Sequence, residues 1–111
     1  MNLYKPIKEN RDFRKIYAKG RSFVHPLLVT YIIKSRGTDV RVGITTSKKT
    51  GNAVKRNRSR RLIRESFRAL GPRVKPGYDF VFVARSKTSF VKSQDVLRVM
   101  ERQLKNAGAI K

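Results

Sequence analysis

The segment between Lys48 and Arg68 holds the densest group of side chains that could do chemistry. It contains nine lysines and arginines and a single acid, Glu65. Guanidinium groups bind phosphate oxygens through paired hydrogen bonds, so this composition is typical of a surface that binds a polyanion. Lys55 and Arg56 fall near the start of a predicted helix, where the helix dipole favours acids. A bound phosphate would remove that conflict, because free N–H groups and cations would share one anion.

The same segment carries the start and stop signals of one long helix. Asn52 is a good N-cap and Gly71-Pro72 is a stop signal, which predicts a helix from Ala53 to Leu70. One side of its helical wheel is apolar, with Phe67 at the margin, and consists of Leu62, Ile63, Ser66 and Leu70. The opposite side is basic, with Arg56 and Arg58 on its flanks, and consists of Asn57, Arg60, Arg61, Arg64 and Arg68. A solvated basic face is the alternative, but the run lacks interspersed acids, so we favour a polyanion site.

The charge of the whole chain supports this interpretation. The 111 residues suit one domain, spanning 1–111. There are 28 Lys and Arg residues against 7 acids, for a net charge of +21. Such an imbalance destabilises the compact state by self-repulsion, which a polyanion would relieve. Nucleic acid, an acidic membrane surface and a heparin-like glycan are the candidate partners.

Several classes of protein are disfavoured by what the sequence lacks. There is no cysteine, so neither a disulfide framework nor a thiolate metal site is available. The N-terminal residues 1–13 contain no continuous apolar stretch of the kind found in signal peptides. No apolar run approaches the length of a membrane span. We therefore expect a cytoplasmic protein that binds nucleic acid.

The remaining elements predict an α+β fold. Besides the arginine-rich helix, the pattern predicts helices over 7–20 and 93–108 and strands over 27–35, 39–47 and 78–86, with a short extra strand near 21–24. Gly37 favours a hairpin between the first two long strands, and Ser93 is the expected N-cap of the last helix. The order α-β-β-(β)-α-β-α indicates a single-domain, two-layer α/β sandwich around one sheet.

Three aromatic residues could form a second binding surface. Phe13 and Tyr17 share a face of the first helix, and Tyr31 lies in the first long strand. If that helix packs beside the strand, the rings could line a groove on which bases of a single strand stack. The alternative is that the three rings belong to the core, and the residues by themselves favour the core.

The sequence offers no recognisable catalytic group. His25 is the only histidine, and acid–base catalysis of RNA cleavage usually needs two positioned groups. The acids are scattered without metal-ligand spacing, at Glu9, Asp12, Asp39, Glu65, Asp79, Asp95 and Glu101. Neither a Walker loop nor a G-x-S-x-G motif is present. We therefore expect the protein alone to be non-catalytic, although a stand-alone nuclease stays open as an alternative.

The stretch SKKTGNAVKRNRSRRLIRESFR closely resembles the signature of the bacterial ribonuclease P protein component. NRDFRKIYAKGRSF, RVGITTSKK and YDFVFVAR resemble the family's first helix, its second long strand and its last strand. The resemblance spans essentially the whole chain. It implies a fold like that of a ribosomal-protein domain, with a left-handed β-α-β crossover through the arginine-rich helix. A right-handed crossover would be the general expectation.

The resemblance also implies a function and its residues. The family's small protein joins a catalytic RNA, one to one, to remove the 5′ leader of precursor tRNA by hydrolysis. Mg²⁺ bound by the RNA does the chemistry, so no catalytic residue and no metal are expected in the protein. The residues implied in binding the catalytic RNA are Lys48, Lys49, Asn52, Lys55, Arg56, Asn57, Arg58, Arg60, Arg61, Arg64 and Arg68. Those implied in a leader-binding cleft are Phe13, Tyr17, Tyr31 and Ser47, with Arg64 nearby by analogy.

Two further alternatives share the charge pattern. A ribosomal protein or general RNA chaperone would bind many RNAs without preference for a leader. A membrane-active cationic protein would need a basic helix with a continuous apolar face, which 53–61 lacks.

Overall fold

The computed structural model describes residues 4–111. In chain order its elements are β1 (Lys5–Pro6), α1 (Asn10–Lys19), β2 (Arg21–His25), β3 (Leu28–Lys34), β4 (Arg41–Thr45), α2 (Ala53–Leu70), β5 (Tyr78–Ala84) and α3 (Ser93–Asn106). Single 3₁₀ turns cover Lys48–Thr50, Gly71–Arg73 and Thr88–Phe90. The bounds of α2 are those predicted, and β2 confirms the short extra strand.

The five strands form one mixed sheet in the order β1-β4-β5-β3-β2. β1, β4 and β5 run parallel, whereas β3 is antiparallel to both β5 and β2. The chain leaves β4, forms α2 and returns as the neighbouring parallel strand β5. The left-handed course of that crossover stays a prediction.

The two faces of the sheet are covered by different helices. Along β5, Phe80 and Phe82 belong to the main core with α2 and α3, whereas Val81 packs with Ile16 of α1. This division follows from the alternation of side chains along a strand. The α+β sandwich is confirmed, and α1 adds a partial layer on the opposite face. Between α1 and the ends of β3 and β5, part of that face stays open.

Two expectations about local structure were wrong. Gly37 does not turn a hairpin, because β5 lies between β3 and β4 in the sheet. The hairpin is β2–β3, where His25 pairs with Leu28 across a two-residue turn. The N-cap of α3 is Lys92 rather than Ser93, and the Lys92 N–H donates to the Asp95 carboxylate at 3.1 Å.

Phe67 lies in the centre of the core rather than at a margin. Its side chain is 2% exposed, and its ring centroid lies 5.5 Å from that of Phe80 and 5.6 Å from that of Phe82. The second half of α2 is therefore fixed on the sheet by a large aromatic anchor. The first half of α2 lies outside this cluster, as the sequence indicates.

Candidate nucleic-acid interface

A tight turn connects the end of β4 to the start of α2. The Thr50 N–H donates to the Ser47 carbonyl at 2.9 Å, and the Ser47 N–H donates to the Thr50 hydroxyl at 3.3 Å. Asn52 then caps α2, because its Oδ1 accepts from the Lys55 N–H at 3.0 Å. Lys48 and Lys49 are exposed in this turn. The turn therefore places two cations between the end of β4 and the start of the basic helix.

The exposed face of α2 forms an open depression of about 620 Å³, which we call the arginine surface. It is lined by Val54, Asn57, Arg58, Arg60, Arg61 and Arg64. Within it Arg61 lies 4.0 Å from Glu65, and Arg60 donates to the Asn57 side chain at 3.5 Å. No other arginine of α2 has a carboxylate within ion-pair distance in the described part of the chain, so most of this charge is available to an anion.

The acidic side chains of the protein already have partners within the fold. Six of the seven form ion pairs, and the seventh, Asp95, caps α3. Across residues 4–111, only six of the 28 basic side chains take part in those pairs. The fold therefore keeps a large excess of positive charge in solvent, which attracts a polyanion over several ångströms.

Arg58 differs from the other arginines of α2. Its Nε donates to the Ser89 carbonyl at 2.8 Å, and its Nη2 donates to the Val91 carbonyl at 3.3 Å. These bonds hold the loop before α3 against α2. Arg58 thus has a structural contact in addition to the RNA-binding role that the resemblance implies.

The predicted aromatic residues do come together beside α1. The rings of Tyr17 and Tyr31 meet edge to face at 4.9 Å between centroids, and Phe13 lies 6.4 Å from Tyr17. Tyr17 is 40% exposed, and its hydroxyl donates to Thr45 at 3.4 Å. Tyr17 thus presents ring surface to solvent, whereas Tyr31 is half-buried and packs partly against the smaller core cluster.

These tyrosines line an open depression of about 470 Å³, which we call the cleft. Its lining consists of Tyr17, Val29, Tyr31, Ser47, Lys49, Thr50, Val83, Ala84, Arg85 and Ser86. Ser47 lies in the cleft, as the resemblance implies, but Arg64 lies on the arginine surface instead. Phe13 does not line the cleft. Its ring covers Gly43, where an added Cβ would lie 2.6 Å from Phe13 Cε1.

The cleft contains two cations that sequence reasoning did not assign to it. Lys49 was grouped with the arginine-rich helix, and Arg85 was not singled out, although it directly follows the last strand. The usable signal for Arg85 was its alternation with Val83 at the end of β5, which predicts a side chain on the same face of the sheet. The pairing of β5 with β3 brings that face beside Val29 and Tyr31. With Lys49 and Arg85 at its lining, the cleft combines aromatic faces with positive charge, as surfaces that bind single-stranded nucleic acid do.

Arg41 holds α1 over this region. Its guanidinium donates to Asp79 through Nε at 3.0 Å and Nη2 at 2.7 Å, and it lies 3.5 Å from Asp12 of α1. The hydrogen bonds that Arg41 donates to Asp79, which is 5% exposed, raise the pKa of Arg41 above its ordinary value despite partial burial. Arg41 therefore links the first turn of α1 to the starts of β4 and β5.

Groups for catalysis or metal binding do not cluster. Within residues 4–111, no three His, Asp or Glu side chains come close enough together to hold a metal ion. His25 Nδ1 accepts from the Leu27 N–H at 3.0 Å, which stabilises the β2–β3 turn. No helix in the same residues is long and apolar enough to cross a bilayer.

Comparison with known proteins agrees with this geometry. The model of the family described as Ribonuclease P matches residues 1–108. The ribonuclease P protein component of Clostridioides difficile strain 630 is 43% identical over 106 residues, covering 95% of this chain and 90% of that protein. The RNase P protein of Staphylococcus aureus superposes with a TM-score of 0.84 at 34% identity, covering 96% of this chain and 97% of that one. The RNase P protein of Thermotoga maritima gives 0.81 at 29% identity, with 92% and 96% covered. The chain therefore belongs to the Ribonuclease P family, as a protein component.

Proposed function

We propose that this protein docks on the catalytic RNA of ribonuclease P through the arginine surface and holds the 5′ leader of precursor tRNA in the cleft. The observation that carries the proposal is the position of the turn 48–50. It joins the two surfaces directly, since Lys49 lines the cleft and Asn52 caps α2. The turn therefore connects the cleft to the start of the basic helix, which carries the arginine surface.

The arginine surface would act by neutralising RNA phosphates. Arg60, Arg64 and Arg68 project from α2 without carboxylate partners among residues 4–111. Their guanidinium groups suit bidentate contacts to phosphate oxygens. Each neutralised phosphate releases counterions, so affinity for the RNA should fall steeply as salt is raised. Close approach of RNA helices would then need less Mg²⁺.

The cleft would act by holding a flexible strand. Tyr17 and Tyr31 offer ring faces, while Lys49 and Arg85 offer charge to the leader phosphates. Base stacking contributes about 1–3 kcal/mol per base and tolerates any sequence. Precursor tRNA would therefore bind more tightly than mature tRNA, which lacks the leader.

In this proposal the hydrolytic chemistry belongs to Mg²⁺ held by the RNA. The acids of residues 4–111 do not fit a metal site, because no three of them come together and six of them are paired with basic side chains. What the protein contributes is binding: it brings substrate and catalytic RNA together in a one-to-one particle.

Binding of precursor tRNA to the reconstituted holoenzyme tests the cleft. Tyr31→Ala should weaken binding of a substrate with a long leader by roughly 5- to 100-fold and leave mature tRNA unaffected. Tyr17→Phe removes only a 3.4 Å hydroxyl contact and should behave like the wild type. Equal weakening for both RNAs would instead favour a general RNA chaperone.

A further inference from the structure

The most exposed aromatic ring of residues 4–111 lies beside α2 and outside both surfaces described above. Phe90, in the loop before α3, is 69% exposed. Single exposed apolar residues are common, but a Phe ring this exposed is unfavourable in water unless something covers it. Its position next to the start of α2 indicates what that partner is.

Two residues of α2 hold Phe90 in place. Arg58 bonds the carbonyls on either side of it, at Ser89 and Val91. Lys55 places its Nζ 4.8 Å from the centroid of the Phe90 ring, a cation–π contact. The backbone on both sides of Phe90 is therefore bonded to Arg58, and the ring itself carries a cation on its surface.

Resting on the proposed function, we infer that Phe90 and Lys55 form a stacking platform for an unpaired base of the catalytic RNA. The base would stack on the free part of the ring, and Lys55 would contact the phosphate of the same nucleotide. Arg58 acts as the positioning residue, because its two carbonyl bonds fix the loop that carries the ring.

The surroundings favour RNA over a protein partner. Phe90 has Lys55 on its ring, and Lys87 and Lys92 lie three residues before it and two residues after it in the sequence, so positive charge is concentrated near the ring. Protein interfaces usually need a larger apolar area with fewer charges at its centre. A nucleotide needs one ring face and one or two cations, which is what the loop offers.

Affinity for a bacterial ribonuclease P RNA, measured over a range of salt concentrations, separates stacking from charge. Phe90→Ala and Phe90→Leu should each weaken binding by roughly 5- to 100-fold with an unchanged salt slope, and Phe90→Trp should bind like the wild type.

Lys55→Met should reduce the steepness of the salt slope by about 1. Arg58→Met should remove most of the Phe90 contribution, so that Arg58→Met combined with Phe90→Ala costs less than the two losses multiplied.

The matched control is Val24→Ala. Val24 is 71% exposed on β2, an edge strand of the sheet, and is not part of the binding surfaces. This variant should bind RNA like the wild type. A photoreactive phenylalanine at position 90 should crosslink to the RNA, while the same group at position 24 should not.

The outcomes distinguish this inference from the function on which it rests. If the wild type binds the RNA tightly and Phe90→Ala binds equally well, the platform is refuted and the arginine surface still stands. If Phe90→Ala changes self-association but leaves RNA affinity unchanged, the ring belongs to a protein contact instead. If the wild type binds the catalytic RNA no better than unrelated RNA, the proposed function itself fails.

Discussion

At the scale of single residues, the arginines of this protein have different contacts and therefore different roles. Arg41 is fixed between two carboxylates, Arg58 bonds two carbonyls, and Arg60 and Arg64 line an open surface. A run of like residues in the sequence does not distinguish these roles. The partners of Arg58 come from a loop about thirty residues further along the chain, and only the fold brings them together.

Gly43 illustrates how one small residue shapes the cleft. An alanine there would place its Cβ 2.6 Å from Cε1 and 2.8 Å from Cζ of Phe13, so the ring must move. We expect Gly43→Ala to lower the free energy of unfolding by about 1–3 kcal/mol. Because Phe13 neighbours Tyr17, binding of the leader should weaken as well. Denaturant unfolding measures the first effect.

Gly37→Ala is the matched control for Gly43→Ala. An added Cβ at Gly37 would have the Asp39 nitrogen as its nearest neighbour, at 3.9 Å. This variant should unfold within about 0.5 kcal/mol of the wild type. A Gly43→Ala protein as stable as Gly37→Ala would show that Phe13 does not need the space.

At the scale of elements, most local signals were read correctly, apart from the N-cap of α3, whereas distant pairings were not. The ends of α2 depend on Asn52 and on Gly71-Pro72, which act within a few residues of the helix, so its bounds were predictable. The pairing of β3 and β4 with β5 depends on a strand that comes more than thirty residues later. Gly37 looked like a hairpin residue, but nothing near it shows that β5 would take the place between the two strands.

The residues of the cleft show the same difference between local signals and distant pairings. Tyr17, Tyr31 and Ser47 were assigned through the family resemblance, since the residues by themselves favoured a core. Arg85 and the cleft-facing position of Lys49 were missed, because both depend on how β5 pairs with its neighbours β3 and β4 in the sheet. The placement of Phe13 over Gly43 also needed the sheet, as the two residues lie on different elements.

Gln103 connects α3 to the β2–β3 hairpin. It is 6% exposed, accepts from the Thr30 hydroxyl at 2.6 Å, and donates to the carbonyls of Phe23 and Leu28, each at 3.0 Å. Gln103→Leu leaves buried polar groups without partners, so we expect it to destabilise the protein by about 2–4 kcal/mol. Thermal or denaturant unfolding measures this loss.

A double variant separates hydrogen bonding from packing at this position. Thr30→Val combined with Gln103→Leu also removes the Thr30 hydroxyl, which Gln103→Leu alone leaves without its partner. The double variant should therefore lose less stability than the sum of the two single changes. Hydrogen exchange in β2 and β3 should quicken in Gln103→Leu. Strictly additive losses would mean that the two side chains do not interact.

At the scale of the whole molecule, charge is the dominant feature. With a net charge of +21 and its acids already paired, the folded protein repels itself. Any anion that binds the folded state more strongly than the unfolded chain raises stability, and the gain grows with the logarithm of its concentration above Kd. We expect phosphate and short RNA to raise the melting temperature at fixed ionic strength, more than chloride does.

Neutralising charges on two surfaces tests where that stabilisation arises. Arg60→Gln combined with Arg64→Gln should reduce the effect of RNA on the melting temperature. Lys34→Gln, at the end of β3, should change it much less. Equal reductions would mean that RNA responds to total charge rather than to the arginine surface.

Cleavage of precursor tRNA by a bacterial ribonuclease P RNA at low Mg²⁺, with and without this protein, tests the proposed function most directly. Substrates with a long leader and with a one-nucleotide leader should be run side by side. We predict that the protein restores cleavage and that the long leader gains more. Equal stimulation of both substrates would contradict the cleft, and no stimulation of either would contradict docking on the catalytic RNA.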